Sequence, residues 1–428
     1  MSKLPTGPYK GVRDFYPEDM AIQRYIFDTW SRTVESFGYQ RYDASILEPA
    51  TLYKAKGAEN EEMVNEQTYT FTDRGEREVT LRPEMTPTVA RMVAARQREL
   101  TPPIRWYSIP NLFRYERTQR GRLREHWQLN CDIFGVDDMA ADVEIIALAH
   151  QLLLNFGATP DMFEIRINNR AFMESWYSTQ GISEAGIRSK ITKLNDRKNK
   201  ISDEEYKSEL RNIIVQPFDI DTLQAGLESN DISQISSQEP FRSLFENLQE
   251  LGLDNIIFDK TLARGFDYYT GTVFEIFDKH PGGTKRSMLG GGRYDNLTGL
   301  FSDTPLSGVG FGMGDVTMRD FLETHNLLPP SVSTTAPLLT IIPLSPDEHQ
   351  PAQALAQQFR AGGITTSIDF SARKRDKKFK TATDTGVHYV IVLGPDEIVA
   401  ATLTLQDLRS NHEQTGATKE IITFLTEN

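Results

Sequence analysis

Four short stretches of this 428-residue sequence hold residues that could do chemistry, and the densest is FRYERTQRGRLREHWQLNCDIFG, residues 113–135. Its alternation reads as a strand, a basic loop and a second strand. Side chains at i and i+2 leave a strand on the same side. Arg114 and Glu116 would then share one face of the first strand, and Gln128, Asn130 and Asp132 one face of the second. Arg117, Arg120, Arg122 and Arg124 crowd the loop. Guanidinium forks bind phosphate oxygens in pairs, so the pattern suits a polyanion such as a nucleotide triphosphate or an RNA backbone. A salt-bridged, solvent-facing hairpin would use the same residues. Apolar residues flank the polar face on both strands, which favours a ligand.

The other three stretches are LARGFDYYTGTVFE (262–275), LRPEMTP (81–87) and GGGRYDNL (290–297). In the first, Arg264 stands near Tyr268 and Tyr269. A structural arginine stacked on aromatic rings would gain about 0.5–2 kcal/mol, and a bound anion would also explain it. In the second, Glu84 sits at a strand-to-helix turn, with Met85 and Thr86 next; a carboxylate there could cap the helix. In the third, the glycines let the backbone approach a ligand closely, or serve a β-bulge.

The elements that must position these residues follow from periodicity. Ile22, Ile26, Trp30, Val34 and Phe37 make residues 18–37 an amphipathic helix between Pro17 and Gly38. Strands are expected at 67–73 and 78–82, joined by the turn DRGER, and at 104–109, 111–117 and 123–135. Helices are expected at 86–99 and 139–156. Strands resume at 256–277, 287–294 and 308–313, and a helix then runs to about 325. Residues 1–325 thus read as an α+β domain on an antiparallel sheet with flanking helices. About 172–245 is a charge-dense helical insertion, read as well by a solvated helix pair as by an RNA-touching module. A Pro-, Ser- and Thr-rich linker spans 326–336, and strand–helix alternation marks 337–428 as a small α/β domain.

Composition narrows the class. Hydrophobic residues are 39% and charged residues 25%, the balance of an ordinary soluble enzyme. The net charge of −13 means that any cations meeting RNA must be gathered locally. Cys131 is the only cysteine, so no internal disulfide is available and a reducing, cytoplasmic location is expected. The N-terminus shows no apolar signal region, and no uncharged apolar run approaches about 18 residues, so no membrane is expected as a partner. GxxxxGK[ST] and HExxH are absent and the histidines are scattered, so no protein cage for a metal is expected.

FRYE with its arginine-rich loop resembles motif 2 of the class II aminoacyl-tRNA synthetases, and QLNCDIFG resembles its form in the histidyl-tRNA synthetase family. RGFDYYTGTVFE is similar to a signature peculiar to that family, LRPEMT to its LRPEGT segment, and GGRYD to a segment of the same sequence. YVIVLGPDE (389–397) with ATLTLQDL resembles the anticodon-binding domain of several class II synthetases. The resemblance implies a histidine–tRNA ligase: ATP and L-histidine would give histidyl-adenylate and pyrophosphate, and histidine would pass to the 3′ end of its tRNA. It also implies Mg²⁺ with the ATP, and a homodimer.

Residue by residue, the resemblance assigns Arg114 and Arg264 to the α-phosphate, as catalytic groups that also touch histidine. Glu84 and Thr86 would bind the α-ammonium, with Met85 in the same turn. Gln128, Asp132, Tyr268, Tyr269 and Tyr294 would form the histidine pocket, Asp132 and Tyr269 reading the imidazole. Glu116 would face the adenine amino group, Arg122 the outer phosphates, and His126 one face of the base. Arg117 would touch the tRNA acceptor end. Arg373 and Lys374, in the basic run RKRDKKFK, would touch tRNA phosphates; alone, such a run is usually a solvated helix face.

Some positions depart from the pattern. GVGFGMGD (308–315) resembles motif 3, but Thr317 stands where class II enzymes carry an adenine-stacking arginine, and Arg319 would point elsewhere. Asp132 replaces a glutamate common in bacterial members, and Ser45 the usual motif 1 proline, with Pro49 nearby. Regulatory synthetase-like subunits are a rival reading. They generally lack the C-terminal domain and the RGxDYY signature, and this chain has both. A ligase-inactive RNA sensor is a second rival, helped only by Thr317.

Overall fold

The computed structural model describes residues 3–54, 67–198, 201–214, 219–235, 239, 241–263, 268–330 and 336–427. Contacts divide the chain into two units, Met1–Val332 and Ser333–Asn428. Among the described residues, no helix is long and apolar enough to cross a membrane.

The first unit is built on a nine-stranded sheet. Its middle runs Ile104–Ser108, Glu125–Phe134, Gly308–Gly314, Ser287–Arg293, Thr272–Asp278 and Phe163–Asn169, each antiparallel to its neighbours. Gln40–Arg41 and Ile256–Phe258 add parallel edges, and Asn111–Phe113 pairs with the start of Glu125–Phe134.

Alternation decides what each face meets. From Glu125–Phe134, Leu129, Cys131 and Ile133 enter the core with Trp30 and Val34 of helix Pro17–Ser36 and Ile145, Ala149 and Leu153 of helix Ala140–Asn155. Gln128, Asn130 and Asp132 point to the other face. There the register sets Asp132 beside Gly310 and Gly310 beside Gly292; Asn130 meets Gly312, and Gly312 meets Gly290. Polar side chains of one strand and glycines of the next two thus make one floor.

Several expected elements differ in extent. The run 111–117 is a strand only over Asn111–Phe113. Beyond it the Glu116 N–H donates to the Arg114 carbonyl at 2.9 Å, a tight turn in place of extended chain. The two-residue alternation therefore does not relate Arg114 to Glu116. The run 256–277 splits into Ile256–Phe258 and Thr272–Asp278. Phe163–Asn169, which sequence alone did not mark, buries Phe163, Ile165 and Ile167 and pairs with all seven residues of Thr272–Asp278.

In the insertion, helices Arg170–Thr179, Ala185–Arg197, Asp203–Ile213, Ile220–Glu228 and Phe241–Glu250 turn Tyr206, Leu210, Leu227 and Leu244 inward. Charges pair between these helices, Arg197 with Glu209 at 2.9 Å and Lys198 with Glu228 at 2.7 Å.

The second unit has a five-stranded sheet in the order Thr366–Ile368, Leu339–Pro343, Tyr389–Leu393, Leu403–Asp407 and Glu413–Gly416. The first three are parallel and the rest antiparallel. Helices His349–Ala361 and Thr418–Glu427 pack Phe359 and Ile421 onto Leu339, Ile341 and Ile391.

Candidate active site

On the polar floor lies a cavity of about 80 Å³, walled by Glu84, Thr86, Arg114, Gln128, Tyr268, Tyr269 and Tyr294 over Gly290, Gly310 and Gly312. The glycines are needed by the side chains that lie on them. A Cβ at Gly312 would meet the Gln128 amide at 2.7–2.9 Å, one at Gly292 the Tyr269 ring at 2.8 Å, and one at Gly310 the Tyr294 hydroxyl at 2.7 Å. Gly290–Gly292 keep regular strand register, and the irregularity in pairing falls one step earlier, near Met288. The strand is regular at these glycines, and the room they leave is taken by the neighbouring side chains.

Asp132 does not sit on the cavity wall. It is 3% exposed, and its Oδ1 accepts a close hydrogen bond from the Tyr294 hydroxyl. Its Oδ2 is buried with no hydrogen-bond partner among the described residues. Burial lifts its pKa to about 7, against the lowering effect of the Tyr294 hydrogen bond. Asp132 thus reaches the cavity through Tyr294, whose ring also meets Tyr268 edge-on at 5.8 Å.

The LRPEMT turn forms the opposite wall. Met85 holds the N-cap position of helix Thr86–Arg96 with no side-chain capping bond, so the helix does not use Glu84 as its N-cap. Glu84 is 3% exposed and accepts from the Tyr268 hydroxyl at 3.4 Å, while its carbonyl accepts from Tyr53 at 3.2 Å. Met85 is fully buried with its sulfur near Arg82, and it does not line the cavity.

A larger chamber of about 490 Å³ shares Arg114, Gln128, Gly290 and Gly312 with the small cavity. Arg114 Nε donates to the Pro83 carbonyl at 2.8 Å, which sets its guanidinium between the two spaces. Glu116, Arg122 and His126 line the chamber. Glu116 and Arg122 form a close ion pair, and Glu116 Oε1 is buried without a hydrogen-bond partner among the described residues. Burial, and then Arg114, Arg13 and Arg122, pull the His126 pKa down to about 3. Its imidazole is therefore neutral near pH 7.

Thr317 lines the chamber, buried, its hydroxyl donating to the Met288 and Gly314 carbonyls at 3.2 Å. Arg319 points away, as expected, pairing with Asp19 at 2.9 Å and Glu323 at 2.8 Å. Arg264 lies outside the described residues. Ala263 before it lines the chamber and Tyr268 after it lines the cavity.

Residues the sequence did not single out hold this scaffold. Arg13 pairs with buried Asp315 at 2.7 Å, and Asp315 accepts the Trp127 N–H at 2.9 Å, tying the N-terminal segment to the strand–helix junction. Arg293 turns to the helix-packed face, its Nε donating to Asp142 at 2.9 Å. The invariable charge of an arginine at the end of a buried strand could have hinted at it; nothing in the sequence pointed from Arg13 to Asp315.

Away from the pocket, Arg117 is exposed on the basic loop. Arg120 pairs with Asp320 at 2.7 Å, and Arg124 lies over the Tyr115 ring at 4.0 Å. In the second unit, Arg373 bonds Ser371 and Thr381, and Lys374 is exposed at the start of helix Arg375–Asp384. Lys378 of the same basic run is buried, donating to the Pro343 and Asp369 carbonyls, so this run is not a wholly solvated face.

Known proteins resemble this chain in sequence and in fold. Residues 11–315 match the family model for histidyl-tRNA synthetase, and residues 339–428 the model for an anticodon binding domain. A histidine–tRNA ligase of Leptospira biflexa is 43% identical, with 99% of this chain and 98% of the relative covered. One of Thermoplasma volcanium is 35% identical over 97% of each. Among solved structures, a histidyl-tRNA synthetase from Nostoc superposes with TM-score 0.77 at 21% identity, covering 99% of this chain and all of that one. The apo enzyme of S. aureus gives 0.72 at 23% identity, covering 99% of each. With both family models matched and relatives this similar along nearly the whole length, the chain belongs to the histidyl-tRNA synthetase family.

Proposed function

We propose that this chain activates L-histidine with ATP and passes it to the 3′ end of histidine tRNA. The observation that carries the site reading is that Arg114 stands on the wall of both spaces, the small polar cavity and the larger chamber. A carboxylate in the first and an α-phosphate in the second would meet at one guanidinium.

Histidine enters the small cavity with its α-ammonium toward Glu84 and Thr86. Its imidazole faces Tyr269 and the Tyr294 hydroxyl, which Asp132 orients. A cavity built from hydrogen-bonding groups rejects side chains that leave those groups unpaired. ATP lies in the chamber, its adenine amino group toward Glu116 and one ring face on neutral His126. Arg122 exchanges part of its pairing with Glu116 for the outer phosphates.

The histidine carboxylate oxygen attacks the α-phosphorus, the bond to the bridging oxygen breaks, and pyrophosphate leaves. No protein base is required, since the nucleophile is already ionised. Positioning and neutralisation of charge dominate such a step, and Arg114 and Arg264 supply cations. Magnesium arrives with the nucleotide. Glu275, on the chamber wall, would be the carboxylate to hold that ion, which would offset the phosphates' charge. In the second step a hydroxyl of the tRNA terminal ribose attacks the mixed anhydride carbonyl and AMP leaves. Arg117 meets the acceptor end, and Arg373 and Lys374 meet tRNA phosphates.

The enzyme works in the cytoplasm as a homodimer. A single buried thiol, Cys131, fits a reducing compartment. The small sheet of Leu47–Pro49, Glu78–Leu81 and Tyr69–Thr72 puts Leu47, Pro49, Phe71, Tyr69, Val79 and Leu81 on one face, with Leu47 and Phe71 exposed. That apolar face supports a partner copy. Exchange of labelled pyrophosphate into ATP tests the catalytic reading: stimulation by histidine supports it, and no stimulation by any amino acid rejects it.

A further inference from the structure

Thr317 leaves the chamber without the cation that class II enzymes place on that helix, and a different arginine stands at the same spot. Gly121, at φ +74° in the basic loop, marks it. A Cβ there would lie 3.4 Å from Thr317 Cγ2 and 3.5 Å from Arg286 Cδ. The Arg286 stem and the short side chain that replaces the usual arginine therefore lie within about 7 Å of each other, on either side of Gly121. Both residues line the chamber with His126, Glu116 and Arg122.

Two further observations set Arg286 apart. Three other described arginines line the chamber, and each is held. Arg114 bonds the Pro83 carbonyl, Arg122 pairs with Glu116, and Arg166 pairs with Glu164 and Asp259. Arg286 is half-buried and has no carboxylate or carbonyl partner for its guanidinium among the described residues. Burial alone acts on its charge and pulls its pKa below the usual arginine value. A partly desolvated cation without a partner is costly, and a ligand would relieve it.

Sheet order says which part of the nucleotide it meets. His126 lies on Glu125–Phe134, Arg286 just precedes Ser287–Arg293, and Gly308–Gly314 runs between them. Adjacent strands are about 4.8 Å apart, so the two residues stand about 10 Å apart across the junction that leads to Thr317. One flat ring fits between a neutral imidazole and a guanidinium at that spacing.

We propose that Arg286 is the adenine clamp of this chain, its guanidinium stacking on the base face opposite His126. This inference rests on the proposed ATP site. The clamping arginine stands just before the neighbouring strand instead of on the helix after motif 3, and Thr317 leaves room for it.

The test measures ATP and histidine KM in pyrophosphate exchange, and ATP affinity by calorimetry without histidine, for wild type, R286K and R286A. Loss of a desolvated cation–π contact predicts an ATP KM and dissociation constant raised about tenfold or more in R286A. Histidine KM and melting temperature should stay within error. R286K should fall between, since lysine keeps the charge but not the planar stack. Unchanged ATP affinity in R286A overturns the proposal, as does an equal rise in both KM values with a lowered melting temperature. If R286A fails to fold, R286Q, which keeps most of the stem, carries the same comparison. Wild-type exchange tests the ligase reading separately, because the calorimetric comparison needs no catalysis.

Discussion

The hydroxyl of Tyr294 donates to Oδ1 of Asp132 and covers it from the cavity, so the buried carboxylate acts on a ligand through the phenol. While Asp132 is ionised, the Tyr294 proton points inward and its oxygen offers only lone pairs to an imidazole N–H. When Asp132 is protonated it can donate to that oxygen and occupy a lone pair. With its pKa near about 7, histidine affinity should rise as pH rises through neutrality. D132N should flatten the rise. Histidine KM for both proteins between pH 6 and 8 checks this, and the ratio of the two removes the ligand's own titration. A ratio independent of pH contradicts it.

The same group has a stability consequence of known sign. Its folded pKa is raised above 3.8 to about 7. The folded state therefore keeps a proton that the unfolded chain loses, and stability from this site falls as pH climbs through that window. D132N should gain on wild type in denaturant midpoint between pH 4 and pH 7, with a constant difference above it. A gap that narrows toward pH 7 would reverse the argument.

G310A should damage the pocket more than its size suggests. The new Cβ would meet Asp132 Oδ1, the Cys131 carbonyl at 2.5 Å and the Tyr294 hydroxyl at 2.7 Å. One of these neighbours is backbone and cannot swing away. Overpacking costs about 1–3 kcal/mol, and the Asp132–Tyr294 bond should be lost. Histidine KM should rise far more than ATP KM. Comparable rises would show that the floor serves both substrates alike.

Asp142 and Arg293 anchor the glycine strand to helix Ala140–Asn155 from the other face, with side chains 0% and 8% exposed. D142A removes the closest partner of a buried guanidinium that keeps Asp295 at 3.2 Å and the Val136 and Asp138 carbonyls, a loss of about 1–3 kcal/mol. Urea unfolding of D142A, R293M and the double variant checks it. The double variant should lose less than the sum of the two single changes.

Much of this site was legible in the sequence, and the limits have physical causes. Gln128, Asn130 and Asp132 could be put on one face because a ten-residue antiparallel strand alternates without interruption. Arg114 and Glu116 could not, because the chain turns at Glu116 through a local hydrogen bond that no periodicity reports. Alternation also could not tell that Tyr294, 162 residues away, lies over Asp132. Thr317 stood out as a missing arginine, but Arg286 did not. Its place beside Thr317 comes from sheet order, which a one-dimensional pattern does not encode.

R114A and R114K bear on the junction of the two spaces. The guanidinium is fixed at the Pro83 carbonyl through Nε, and lysine has no planar fork to replace it. Both variants should lower the exchange rate constant by about 10²-fold or more, with nucleotide affinity changed much less. A rate near wild type in R114K would mean that charge alone suffices.

The most direct measurement is a crystal structure of the protein with histidine and a non-hydrolysable ATP analogue. The account predicts the imidazole against the Tyr294 hydroxyl and the amino acid carboxylate beside the α-phosphorus, both anions meeting Arg114. Histidine bound elsewhere, or an empty small cavity with the Arg114 guanidinium turned from the phosphate, would contradict it.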